Sequence, residues 1–151
     1  MSDQKTITAI QDDIIEEFAI LGDDKESTVF YIMDLGQKIP PLEEEHKVEE
    51  NIIKGCQSKV WLVTRFEDGR VFFHADSNTE ITKGLISLLM RILSGQKAEN
   101  IVDSDLYFIE KIGMKHVIGS QRSNGFAAMI KQMKLYALAY KSKIELKANQ
   151  G

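Results

Sequence analysis

The chain has 151 residues, 43 % of them hydrophobic and 28 % charged, the size and composition of one globular domain. These values exclude disorder, collagen and a disulfide scaffold as descriptions of the whole, and no apolar run reaches the roughly 18 residues of a membrane span. The net charge of −4 conceals 14 acids against 4 bases in residues 1–50 and 9 acids against 15 bases in residues 51–151. Packing of the two halves is expected to neutralise this asymmetry. No dense Lys/Arg stripe with interleaved aromatics is present, so a nucleic-acid partner is not expected. One cysteine excludes an intrachain disulfide, and the polar, acidic N-terminus is unlike a secretory signal; both fit a cytoplasmic protein.

Ile7, Ile10, Ile14, Phe18 and Leu21 recur at three- and four-residue steps and predict a first helix that stops at Gly22. Asp23 with Glu26 reads as a capping box for a second helix, running to about Lys38 and stopped by Pro40-Pro41. Leu42 to Asn51 is acidic and irregular, with room for a short helical turn. Val60 to Phe66 and Val71 to Ala75 are β-branched and aromatic runs separated by Glu67-Asp68-Gly69-Arg70, a hairpin signal. Ile52-Ile53 is the candidate third strand. Ser77 and Glu80 read as the capping box of a helix whose apolar residues, from Ile81 to Leu93, cover most of its circumference. That helix is expected at the centre of the core, with Gly84 marking a close packing contact. Short helices follow near Ala98–Val102 and Asp105–Ile112. A last helix starts near Ser120 and passes Tyr140, with a tail from Lys141 expected to fray. This order of helices, hairpin and helices is α+β: one domain over residues 1–151, a small three-stranded antiparallel sheet packed against helices.

Cys56 stands in Gly55-Cys56-Gln57-Ser58, just before a strand. A free cysteine is often a small buried hydrophobe, but polar neighbours and a glycine place this one on a loop, where a thiol can meet a partner. Arg122 falls in the first turn of the last helix, where a cation opposes the helix dipole; that misfit suggests a second role. Were Arg122 and its helix end near Cys56, both would favour the thiolate. His46, His74 and His116 show no metal-ligand spacing, and no Cys-x-x-Cys or glycine-rich phosphate loop is present. Asp76 is a possible acid but better placed as a helix-start residue, and Trp61 reads as core. The residues alone thus give an α+β domain with one conspicuous loop thiol.

Four ordered motifs add a resemblance. Asn51-Ile-Ile-Lys-Gly55-Cys56-Gln57-Ser58-Lys-Val60-Trp61 resembles the signature of the SufE family of sulfur-acceptor proteins in iron–sulfur cluster assembly. Leu35-Gly36-Gln-Lys-Ile-Pro40-Pro41-Leu42, Asp76-Ser77-Asn-Thr-Glu-Ile81-Thr-Lys83-Gly84 and Ser120-Gln-Arg122-Ser-Asn124-Gly125 resemble three further family segments, so that the likeness spans about residues 27–140. The family has Ala more often near Thr79, a departure that touches no chemistry. The resemblance implies a SufE/IscU-like fold with Cys56 at a loop tip as sulfur acceptor. It implies that Cys56 takes persulfide sulfur from a SufS-like cysteine desulfurase, stimulates its turnover and delivers sulfur to a SufBCD-like scaffold complex. Arg122 matches the family arginine near the partner surface. No cofactor of its own is implied, since the pyridoxal phosphate belongs to the desulfurase, and neither a metal nor a membrane partner is expected. Whether such a carrier counts as an enzyme is a matter of definition. Two other readings are a family relative serving a different desulfurase and sulfur pathway, and a binding adaptor in which Cys56 is only structural.

Overall fold

The structure is a computed structural model and describes residues 5–150. Helix α1 (Ile7–Ala19) buries Ile7, Ile10, Ile14 and Phe18, the stripe read from the sequence. Helix α2 (Lys25–Gln37) is capped by Asp24, not Asp23: the Asp24 carboxylate accepts from the N–H groups of Glu26 and Ser27 at 3.1 and 3.4 Å. The adjacent aspartate wins because its extended backbone aims the carboxylate back at the first turn. After α2 the chain passes Pro40-Pro41 and makes two 3₁₀ turns, Glu44–His46 and Glu49–Asn51.

Strands β1 (Val60–Glu67) and β2 (Arg70–Ser77) pair in antiparallel register from Val60 opposite Ser77 to Glu67 opposite Arg70. Asp68 and Gly69 both have positive φ, 53° and 77°, the turn that matches the twist of a two-residue hairpin. The third strand is not Ile52-Ile53, which contributes only an isolated bridge from Ile52 to Trp61. It is β3 (Gln96–Lys97), antiparallel to Arg70-Val71, and the sheet order is β1-β2-β3. The end of the preceding helix positions it: the Ser94 hydroxyl accepts from Phe73 N–H at 2.9 Å and Gly95 N–H donates to Val71 at 2.7 Å.

Helix α3 (Glu80–Leu93) lies at the centre, with Leu85, Ile86, Leu88, Leu89, Ile92 and Leu93 all at most 1 % exposed. Its N-cap is Thr79, without a side-chain bond; Ser77 instead donates its hydroxyl proton to the Lys59 carbonyl at 2.8 Å. The expected close contact at Gly84 is with α2. A Cβ on Gly84 would collide with the Ile32 carbonyl, and one on Gly36 would stand 2.5 Å from the Gly84 nitrogen. Glycine on both faces lets the two backbones touch.

Helices α4 (Ala98–Val102) and α5 (Phe108–Ile112) lead to α6 (Met114–Gln150), which is interrupted at Gly119 (φ 84°, ψ 172°). The helical run after that break is the last helix read from Ser120, and it buries Phe126, Met129, Met133 and Ala137 on one face. The helix continues through Gln150. The Tyr140 ring stacks on Phe66 at 4.6 Å and its hydroxyl meets Thr64 at 2.8 Å, fastening α6 to the hairpin. Among the described residues, only the Arg91–Glu17 pair at 2.7 Å joins a base of the second half to an acid of the first, so direct pairing does little to neutralise the charge asymmetry.

Candidate functional site

Cys56 lies on the short connection between Ile53 and β1. The base of this connection is closed by Ile53 N–H donating to the Val60 carbonyl at 2.8 Å. Gly55 has φ +98°, a backbone conformation that L side chains rarely adopt. After Cys56 the chain is held by the entrance to α3. The Ser58 hydroxyl accepts from Thr79 at 2.9 Å and from the buried Thr82 at 3.2 Å. The Lys59 N–H donates to the Asn78 side chain at 2.9 Å. No periodic signal marks these hydroxyl groups in the sequence, so their shared role emerges only in the structure.

The sequence leaves open whether Arg122 lies near Cys56. Both line one cavity of about 150 Å³, whose other walls include Ser58, Thr82, Gly125 and Met129. No histidine lines it. Arg122 occupies the first turn after the Gly119 break; it is exposed and makes no hydrogen bond or ion pair among the described residues. The shift of the thiol is opposite to the one that a nearby arginine and helix end would give together. Cys56 faces the flank of α6 and donates its S–H to the Gly125 carbonyl at 3.4 Å. Half-burial of the side chain pushes the thiol above its ordinary range. Desolvation disfavours the charged form, and the S–H contact to the Gly125 carbonyl suits the protonated thiol.

Asp76 is only 3 % exposed and stands between Lys47 at 3.3 Å and Lys83 at 3.4 Å. Burial pushes its carboxyl up, but the Ser77 N–H and the two ammonium groups outweigh this and hold it below the usual range. It is an ion-paired joint at the start of α3, in keeping with the helix-start reading. Trp61 is half-buried and carries the Lys47 ammonium over its ring at 5.7 Å. Glu43, Glu45 and His46 come within 4.8 Å of one another on the surface, an arrangement that exposed acidic groups adopt without an ion. A larger apolar cavity of about 650 Å³, bounded by Leu35, Pro40, Leu42, Phe73 and Leu88, holds no cysteine. Among the described residues no helix is long and apolar enough to cross a membrane.

A three-stranded antiparallel sheet covered by helices, with a half-sheltered cysteine on the loop entering its first strand, defines the class of protein. The family model described as SufE, Fe-S metabolism associated domain, matches residues 12–137. The chain is 37 % identical over 136 residues to an uncharacterized SufE-like protein of Rhizobium etli, covering 87 % of this chain and 91 % of the relative. It is 38 % identical over 128 residues to one of Rhizobium meliloti, covering 82 % and 91 %. A third, of Synechocystis, is 35 % identical over 130 residues, covering 84 % and 79 %. The chain therefore belongs to the SufE family and to iron–sulfur metabolism. The solution structure of a hypothetical protein from Thermus thermophilus shares the fold, with a TM-score of 0.72 at 18 % identity, over 88 % of this chain and 96 % of that one.

Proposed function

We propose that this protein is a sulfur carrier that accepts persulfide sulfur on Cys56 from a cysteine desulfurase and passes it on for iron–sulfur cluster assembly. The observation that carries this reading is the placement of the chain's only cysteine, half-buried against a cavity of about 150 Å³. A carrier has two conflicting needs. Its persulfide must be shielded from small thiols, and its sulfur must reach a partner at bonding distance. A thiol at the mouth of a small cavity, on a loop with one glycine in a left-handed conformation, suits both.

In the transfer, the Cys56 thiolate attacks the outer sulfur of the desulfurase persulfide. The bond from Cys56 to that sulfur forms, and the bond to the desulfurase cysteine breaks and leaves a thiolate there. The proton lost from Cys56 balances the one the leaving thiolate regains. No net oxidation takes place, because the sulfur arrives already oxidised. Burial raises the Cys56 thiol, so the free protein is expected to react slowly and to speed up when docking favours the thiolate. Arg122, exposed on the cavity wall, is the group placed to meet an anion there: the departing thiolate or an acid of the partner. The pyridoxal phosphate of the overall reaction stays with the desulfurase.

Incubation with a pyridoxal-phosphate cysteine desulfurase and L-cysteine is expected to add the mass of one or more sulfur atoms to this chain, removable by reductant. Cys56→Ser is expected to lose both that gain and the stimulation of turnover. Sulfur found only on the desulfurase overturns the proposal.

A further inference from the structure

Three glycines sit at packed positions inside helices, where glycine weakens the helix relative to alanine. Gly36 and Gly84 are explained by the touching backbones of α2 and α3. No such clash accounts for Gly125. It is buried in α6, its φ is not positive, and the three atoms nearest to a Cβ there all belong to Cys56, at 3.6 Å for Sγ, 3.7 Å for Cα and 3.8 Å for Cβ. Those are ordinary contact distances, so the resting protein has room for alanine, and helix propensity favours it.

What glycine leaves open is a strip of space along the Cys56 side chain. We propose that Gly125 provides the berth for the outer sulfur of a Cys56 persulfide; this rests on Cys56 being the sulfur acceptor. The outer sulfur is bonded about 2.05 Å from Sγ. It cannot lie where the thiol hydrogen lies, because the Gly125 carbonyl oxygen is only 3.4 Å from Sγ in that direction. Turned about the Cβ–Sγ bond away from that oxygen, it would use the space beside Gly125, which lines the same cavity as Cys56 and where an added Cβ would stand 3.6 Å from Sγ. A methyl group there takes the same space, since non-bonded heavy atoms need about 3.5–4.0 Å between them. Gly125 is thus a specificity-determining residue: it admits a two-sulfur side chain where alanine admits only a thiol.

The test uses Gly125→Ala in the full chain, with sodium tetrasulfide as sulfur donor and mass spectrometry as readout. The thiolate of Cys56 takes one sulfur from the tetrasulfide dianion and releases the trisulfide dianion, so charge and atoms balance. The variant is expected to melt roughly 2–4 °C higher, as a better helix. Its Cys56 thiolate is expected to titrate, by ultraviolet absorbance, as in the parent. Its persulfide is expected to form about tenfold more slowly, equivalent to about 1.4 kcal/mol. Equal persulfide formation in parent and variant overturns the berth while leaving the carrier reading in place. Failure of the parent itself to take up sulfur, from tetrasulfide and from a desulfurase alike, removes both. A variant that fails to fold shows that packing requires the glycine, and a shifted thiolate titration shows that reactivity is the cause; either overturns the berth.

Discussion

The two flanks of the Cys56 loop are held by different means. On the side of β1, Ser58 and Lys59 are fixed by side-chain bonds from Thr79, Thr82 and Asn78 and by the Ser77 hydroxyl on the Lys59 carbonyl. On the other side Lys54 and Gly55 are exposed, and Gly55 owes its course to its backbone conformation and to the proximity of Ala128. This contrast locates the bend of the loop. Side-chain bonds to a buried helix entrance make Ser58 a fixed post, and a glycine without such bonds makes Gly55 the pivot. Under the proposed function, approach of Cys56 to a partner's sulfur is expected to pivot at Gly55 with β1 unmoved.

Substitution on either flank tests the contrast. Gly55→Val carries the largest expected effect. A β-branched residue at φ +98°, with its Cβ placed 3.1 Å from the Ala128 methyl, is expected to lose roughly 2–3 kcal/mol in denaturant unfolding. A cost near zero shows that the loop relaxes there freely and that its conformation carries no constraint. Ser58→Ala is expected to lose about 1–2 kcal/mol, because the buried Thr82 hydroxyl is left without its acceptor. Hydrogen exchange should rise at Lys59 and not at Val63; an unchanged pattern means that the post stands without Ser58.

The pH dependence of Cys56 probes the same loop with a smaller effect. Its folded thiol is raised above the ordinary value by burial, so the folded state holds the proton more tightly than the unfolded one. The associated stability is present below about pH 8.5, the ordinary thiol range, and is lost as pH rises through the raised value. Parent unfolding curves should therefore weaken at alkaline pH more than those of Cys56→Ser, and iodoacetamide should label native Cys56 more slowly than the denatured chain at neutral pH. Equal labelling rates would describe a thiol that is merely exposed. The smallest stability effect belongs to Arg122→Ala, within about 0.5 kcal/mol, since the side chain is exposed and opposes the dipole of its helix. Its effect is expected in slower sulfur transfer from the desulfurase, and unchanged transfer kinetics would leave Arg122 a solvated charge.

Much of this is legible from residues alone. The apolar stripe of α1, the Asp-Gly hairpin and the all-round apolar surface of α3 are local signals that tertiary packing reinforces. The tight contact at Gly84 follows from the cost of glycine inside a helix. Cys56 and Arg122 are legible as residues out of keeping with their surroundings, and their common cavity follows from the fold. The third strand is not legible, because Gln96–Lys97 is two polar residues long and is set by its pairing with Arg70-Val71 and by the Gly95 N–H that donates to the Val71 carbonyl just before it. The N-caps fall one or two positions from where the sequence puts them, since neighbouring Asp, Ser and Thr residues compete and only backbone direction decides among them. The conditions for a thiolate that the sequence suggests are met only in part: Arg122 lines the same cavity, but proximity to a helix is not proximity to its positive end. Cys56 instead meets a carbonyl on the helix's side.

The long connection between α2 and β1 runs from Lys38 to Lys59, beyond the length at which structureless loops become uncommon, about 12–15 residues. Near its middle, Lys47 grips the buried Asp76 and covers Trp61. In polymer terms the contact divides one long loop into two of about half the length; each closes at a cost about 0.6 kcal/mol below that of the whole, but both must be closed, so the contact itself has to offset the second closure. A mechanical boundary follows from the same contact: displacement of the acidic stretch at Glu43–Glu45 is expected to be resisted at Lys47 before it reaches the segment that carries Cys56.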